Sequence, residues 1–199
     1  IALKEANLQL HPGKLIAIMG PSGSGKSTLL NVAGLLLPPT SGRVLVNGED
    51  AAGLSKSAAA QLRRRNLGFV FQDFSLVPTL SIGENVTLPL ELDGVSPKKC
   101  REAAEIALAE VGLENVADRF PEEISGGQAQ RAAIARALIG PRQVVLADEP
   151  TGALDTATSE EVMKVLRSRI DAGAAGLLVT HEPRFAAWAD SVVMMRDGV

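Results

Sequence analysis

Cysteine occurs once in these 199 residues, at Cys100. An intramolecular disulfide is thereby excluded, which fits a reducing compartment. Long apolar runs are missing as well. No stretch approaches the roughly eighteen residues that a bilayer-spanning helix needs, so any membrane role has to come through a partner. No signal peptide is present, and the chain opens at Ile1 and closes at Val199, which reads as trimming at both ends. Charge excess is also lacking. The 20 basic and 23 acidic side chains leave a net charge of −3, which offers no basic face to nucleic acid. The one concentrated positive run, Arg63-Arg64-Arg65, reads as a solvated helix end. Heptads, internal repeats and low-complexity tracts are absent too.

What remains is a chain able to fold. Apolar residues make up 46% and charged residues 22%, enough to bury a core in one large domain or a domain with a subdomain. Four short apolar runs, at residues 15–19, 67–71, 144–147 and 177–180, are each followed or closed by polar residues. Continuous apolar runs of this length suit strands buried on both faces of a parallel sheet. Ligands collect at the carboxyl ends of such strands, and that is where the polar residues fall.

Helical patterns over residues 26–37, 55–65 and 158–170 lie between these runs. Residues 81–123 hold an alanine-rich amphipathic helix, SPKKCREAAEIALAEVGL, and no convincing strand. We expect residues 76–140 to form a helical subdomain inserted in a core made of 1–75 and 141–199. Residues 3–10 and 43–46, with an Asn47-Gly48 turn, read as a small antiparallel sheet.

The strongest chemical signal is Gly20-Pro21-Ser22-Gly23-Ser24-Gly25-Lys26-Ser27-Thr28, between an apolar run and a helical pattern. It satisfies G-x-x-x-x-G-K-[ST]. Its glycines let backbone N–H groups curl toward phosphate oxygens, Lys26 supplies charge to the β- and γ-phosphates, and the Ser27 hydroxyl can ligate Mg²⁺. This predicts a nucleoside triphosphate site. In VVLADEPTGALD, Asp148 ends an apolar run where it could hold Mg²⁺, and Glu149 could deprotonate an attacking water. Gln72 could contact Mg²⁺ or that water, and His181 the γ-phosphate. A second phosphate-binding helix start stands at residues 122–131, EEISGGQAQR, where Ser125 is a good N-cap and Gly126 and Gly127 follow.

Together these stretches resemble the nucleotide-binding domain of an ABC (ATP-binding cassette) ATPase. GPSGSGKST is similar to its Walker A, VVLADE to its Walker B, and Phe71-Gln72 to its Q-loop. Ala153-Leu154-Asp155 is similar to its D-loop and Thr180-His181 to its H-loop. Ile124-Ser125-Gly126-Gly127-Gln128 resembles the LSGGQ-type signature that sets this superfamily apart, with Ile124 for the usual leucine and Ala129 for a common polar residue. The resemblance implies a P-loop NTPase of α/β class with a RecA-like parallel-sheet core. It implies ATP and Mg²⁺ as cofactors, with Gln128 and Asp155 among the nucleotide-binding residues and Ser125, Gly126 and Gly127 contacting nucleotide held by a second cassette. It further implies a homodimer, an integral membrane permease as partner, no nucleic acid, and a peripheral place on the cytoplasmic face of the cell membrane.

DEPTGALD and LGFVFQDFSLVPTLSIGENVTLPL resemble the subfamily of macrolide exporters, lipoprotein-releasing complexes and the cell-division ATPase. In that resemblance Phe74, Leu76, Val77 and Pro78 are candidates for the permease contact, or equally for subdomain core. The family's adenine-stacking aromatic lies upstream of the first strands, yet residues 1–14 hold no aromatic. Two rival readings stand beside this one: a soluble ABC protein acting on nucleic acid or ribosomes, and a non-hydrolysing nucleotide switch.

Overall fold

The computed structural model describes residues 3–51, 53–152 and 154–199. In chain order the elements begin with β1 (Leu15–Met19), α1 (Lys26–Ala33), β2 (Leu45–Val46), β3 (Glu49–Asp50) and α2 (Lys56–Asn66). Then come β4 (Leu67–Val70), α3 (Ile82–Glu91), α4 (Pro97–Glu110) and α5 (Gly126–Leu138). The chain closes with β5 (Val144–Asp148), α6 (Thr156–Asp171), β6 (Ala175–Val179), α7 (Pro183–Ala186) and β7 (Ser191–Met194).

Five strands form one parallel sheet in the order β4-β5-β6-β1-β7. Its central strands are apolar at successive positions because both faces are covered. Val145, Ala147 and Leu178 point to a cluster that includes Val162, Met163, Leu166 and Ile170 of α6. Their neighbours Leu146, Leu177 and Val179 point the other way, to Leu30 of α1 and Ile18. Each such buried valine, leucine or isoleucine contributes about 1.5–3 kcal/mol, which anchors the sheet. Its register aligns the carboxyl ends: Ala17 faces Leu178, Leu178 faces Ala147, and Ala147 faces Val70. The residues that follow those positions are therefore delivered to one edge.

One glycine explains how α5 meets the sheet. A Cβ on Gly68 would stand 2.0 Å from the Ala137 carbonyl oxygen, so α5 lies backbone-close on β4.

Several sequence expectations change. Residues 3–10 form no strand; Leu3, Leu8 and Leu10 pack against the cluster around Ile18 and Leu30 without a ladder. The small antiparallel sheet is instead the β2–β3 hairpin on Asn47-Gly48, whose φ values of 53° and 80° suit a two-residue turn of the type I′ kind. The helix expected over 26–37 ends at Ala33, and the one expected over 158–170 starts two residues earlier, at Thr156. Three elements were not anticipated: α3, α7 and the edge strand β7, all of whose residues are exposed.

Candidate active site

The phosphate loop joins β1 to α1. A Cβ on Gly20 would lie 2.0 Å from the Met195 carbonyl oxygen, so only glycine lets the loop leave β1 beneath the residue that follows β7. Gly23 and Gly25 take φ values of 79° and 101°, the left-handed region where glycine is unstrained. Gly25 is the N-cap of α1 and supplies no side chain, so the first N–H groups of that helix are left for a ligand. Pro21, Ser22 and Gly23 are exposed, whereas Ser24 is buried and, among the described residues, its Oγ has no partner. Lys26 folds back over the loop, its Nζ donating to the carbonyls of Gly20 (2.8 Å) and Pro21 (2.9 Å). A single-site cation is thus held over the concavity where phosphate oxygens would enter.

Next in α1, the Ser27 hydroxyl stands beside the Asp148 carboxyl at the end of β5, and Thr28 follows half-buried. Burial pushes the Asp148 carboxyl above its usual range, with the Glu149 charge adding to the rise. The Ser27 hydroxyl and the Lys26 charge pull it back down. A half-buried carboxylate short of countercharge beside a hydroxyl fits a hard divalent cation that takes its other oxygens from phosphate and water. No cluster of three or more His, Cys, Asp or Glu among the described residues offers an all-protein cage, which is how Mg²⁺ sites on phosphates are usually built.

Glu149 follows in the left-handed region, φ 49°, a conformation costing a non-glycine residue roughly 1–2 kcal/mol. The surroundings hold it there. Its N–H donates to the Val179 carbonyl (2.9 Å), and its own carbonyl accepts from Gly152 (3.1 Å). Its side chain is 14% exposed and its Oε1 lies 2.9 Å from Nδ1 of His181, which is 68% exposed. The Glu149 carboxylate, through that hydrogen bond and its charge, raises the His181 pKa. On either side of His181, Thr180 Oγ1 accepts from the Glu182 N–H (3.1 Å).

Gln72 reaches the same sheet edge after β4. It lines an open groove of about 540 Å³ with Phe74, Leu76, Ile124, Ala129 and Gly152. Among the described residues its side chain forms no hydrogen bond with Asp148, Glu149 or His181. Of the residues considered for a permease contact, Phe74 and Leu76 line this groove and Pro78 is exposed. Val77 is instead pinned on both backbone groups by Asn85, and Leu76 also packs on the main core.

The second helix start is built as the sequence suggests. Ser125 caps α5: its Oγ accepts from the Gln128 N–H (3.2 Å), and its N–H donates to Gln128 Oε1 (2.9 Å). Neither glycine is demanded by packing. A Cβ on Gly126 would meet Phe74 at 3.6 Å, and one on Gly127 would meet Leu154 at 3.4 Å. The bare backbone at this exposed helix N-terminus is therefore free for a ligand from outside the chain. Asp155 spends its carboxylate on α6, accepting from the Thr158 N–H (3.0 Å) and Oγ1 (2.7 Å), and its pKa is lowered accordingly. Ala153, the first residue of the D-loop-like stretch, lies outside the described residues.

Sequence reasoning passed over two side chains of α5. Gln130, buried, donates to the Pro150 carbonyl (2.8 Å). Arg136, half-buried, donates to the carbonyls of Phe74 (2.9 Å) and Ser75 (2.6 Å). For Arg136 the available signal was a charge inside the apolar run AAIARALI; Gln130, in the polar stretch QAQR, carried none.

The comparisons agree with this geometry. The profile of the family described as ABC transporter matches residues 3–152. YknY of Bacillus subtilis, described as an uncharacterized ABC transporter ATP-binding protein, is 47% identical over 196 residues, covering 98% of this chain and 85% of that protein. The macrolide export ATP-binding/permease protein MacB of Salmonella typhimurium is also 47% identical over 196 residues. There the match covers 98% of this chain but 30% of MacB, so the chain spans under a third of that relative's length. A dimeric structure of the ATP-binding cassette MJ0796 in a post-hydrolysis state, bound to ADP and Pi, superposes with a TM-score of 0.93 at 40% identity. It covers 99% of this chain and 87% of that one. A second dimeric structure of MJ0796, described as a bacterial ABC transporter cassette, gives 0.93 at 41%, with the same coverage.

Proposed function

The chain belongs to the ABC transporter ATP-binding family, and on that premise we propose that two copies close head to tail on ATP and drive a membrane permease. ATP binding with Mg²⁺ and ATP hydrolysis come with the family and with its ADP- and Pi-bound structural relative. The division of labour among residues is our reading. Residues 20–28 cradle the phosphates, with Lys26 on the β- and γ-oxygens. Ser27, Asp148 and, in the closed state, Gln72 hold Mg²⁺, which neutralises phosphate charge when bound. Glu149 accepts the proton of the attacking water on its carboxylate. His181, its Nδ1–H engaged by Glu149, presents Nε2 to the γ-phosphate; the raised pKa favours the imidazolium, in which both nitrogens donate.

The observation that carries the dimer is the pair of anion-binding helix starts in one chain. Among the described residues, Ser125 and Gln128 share no hydrogen bond with residues 20–28, and the signature glycines are open to the outside. A two-fold arrangement gives each its phosphate, with Asp155 near the shared boundary. We read residues 76–140, which carry α3 to α5, as a helical subdomain, and 1–75 with 141–199 as the core.

No helix among the described residues is long and apolar enough to cross a membrane. We place the chain on the cytoplasmic face of a membrane, peripheral, with the groove beside Phe74 and Leu76 receiving the permease. The MacB relative is named for macrolide export; in our reading this chain supplies the power stroke, and its permease the cargo site. Co-isolation tests the partnership: the full-length protein should be recovered with an integral membrane subunit, and changing Phe74 to Asp should lose that subunit while ATP binding persists. Recovery of the same subunit by the Asp variant would contradict the placement.

A further inference from the structure

Gln130 is 1% exposed, on a helix whose other buried residues are alanines, Ile134 and Leu138. Among the described residues its side chain has one bond, Nε2 to the Pro150 carbonyl at 2.8 Å, and its buried Oε1 finds no partner. Which way the amide points is fixed by chemistry: a carbonyl can only accept, so the NH₂ must face Pro150. A glutamine that leaves its oxygen unpaired in the interior in order to make one contact is not there for packing economy.

The contact falls next to the reacting residue. Pro150 follows Glu149, whose backbone holds a left-handed φ of 49°. Glu149 is itself tied to β6 through the Val179 carbonyl, to the loop after β6 through His181, and within its own turn by Gly152. Gln130 adds a tie from the helical side, reaching the next residue, Pro150, from α5. It stands five residues after the signature serine, so the helix that begins at Ser125 also grips the turn that aims the base. Farther along α5, Arg136 grips Phe74 and Ser75 after Gln72, which fixes the helix against a second site segment.

We propose that Gln130 is a positioning residue for hydrolysis, holding the Pro150 carbonyl so that the Glu149 carboxylate keeps its aim. The proposal rests on the reading of Glu149 as the base. Losing the tie loosens the turn without touching the phosphate loop, so turnover falls while nucleotide affinity stays.

Two variants of the full-length protein test this, with steady-state ATPase assays and nucleotide titration. Gln130→Met keeps the volume and removes the donor; kcat should fall about tenfold, as for one net hydrogen bond, with KM for ATP unchanged. Gln130→Glu sets a carboxylate against the carbonyl at neutral pH, and burial raises that carboxyl's pKa. Its kcat relative to wild type should recover as pH falls from about 8 to about 6, because the protonated acid donates again. Wild-type kcat in Gln130→Met, a flat pH ratio for Gln130→Glu, or a parallel loss of affinity would overturn the proposal. Glu149→Gln, run alongside, separates it from its premise. Full turnover there removes the base and the proposal together, whereas abolished turnover there with normal Gln130→Met removes the proposal alone.

Discussion

His181 Nδ1 and Glu149 Oε1 stand 2.9 Å apart, joining the loop after β6 to the end of β5. In the proposed mechanism these two groups have different tasks, Glu149 toward the attacking water and His181 toward the phosphate. Its strength depends on which of them is charged.

The carboxylate raises the His181 pKa above its ordinary value near 6.5. The pair's contribution is therefore fully present below about pH 6.5 and is lost as pH rises through the raised folded pKa. Replacing His181 with Gln should lower Tm most at acid pH, and the gap to wild type should narrow as pH climbs past that point. Thermal melts across pH check the sign; a gap that widens with pH would be the wrong one.

Lys26 already lies over the loop carbonyls of Gly20 and Pro21, so its charge is placed before nucleotide arrives. Lys26→Ala should weaken ATP binding about 10- to 100-fold, the range of one charge-assisted hydrogen bond. Calorimetric titration measures it, and fold stability should barely change.

Asp148 has a raised pKa because burial opposes its charge. For an acid of that kind, stability is greatest below its unfolded pKa and falls as pH rises through the folded one. Asp148→Asn removes the opposed charge, so the nucleotide-free protein should melt at or above the wild-type temperature at pH 7. The extra melting temperature given by ATP with Mg²⁺ should disappear. A variant that melts lower yet keeps the Mg²⁺-dependent gain would contradict the assignment.

Gly68→Ala sets a methyl 2.0 Å from the Ala137 carbonyl oxygen. Because that neighbour is backbone, α5 must shift. The cost should be about 1–3 kcal/mol, the usual range for overpacking, and Tm should fall by several degrees. Differential scanning calorimetry reads it directly.

What the sequence made legible was local. The phosphate loop is contiguous, and its glycines, lysine and serine each carry their reason within a few residues. The four apolar runs did lead to one sheet edge, because residues buried on both faces announce themselves by composition. The edge strand β7 did not, since every residue of Ser191–Met194 is exposed and no face is patterned. α3 was hidden by Pro89 inside it, although its capping box of Ser81 and Glu84 was available to be read. Gln130 and Arg136 were missed for a different reason. Their partners are backbone carbonyls 20 to 62 positions away, and a carbonyl has no letter in a sequence.

The central claim is that the Ser125 helix reads a phosphate held by another copy. Glu149→Gln should trap the closed state, so its solution mass, measured on the full-length protein with and without ATP, tests the claim most directly. The account predicts an ATP-dependent doubling that disappears when Ser125 is also changed to Arg. A protein that stays monomeric with ATP demonstrably bound, or a dimer indifferent to Ser125→Arg, would contradict it.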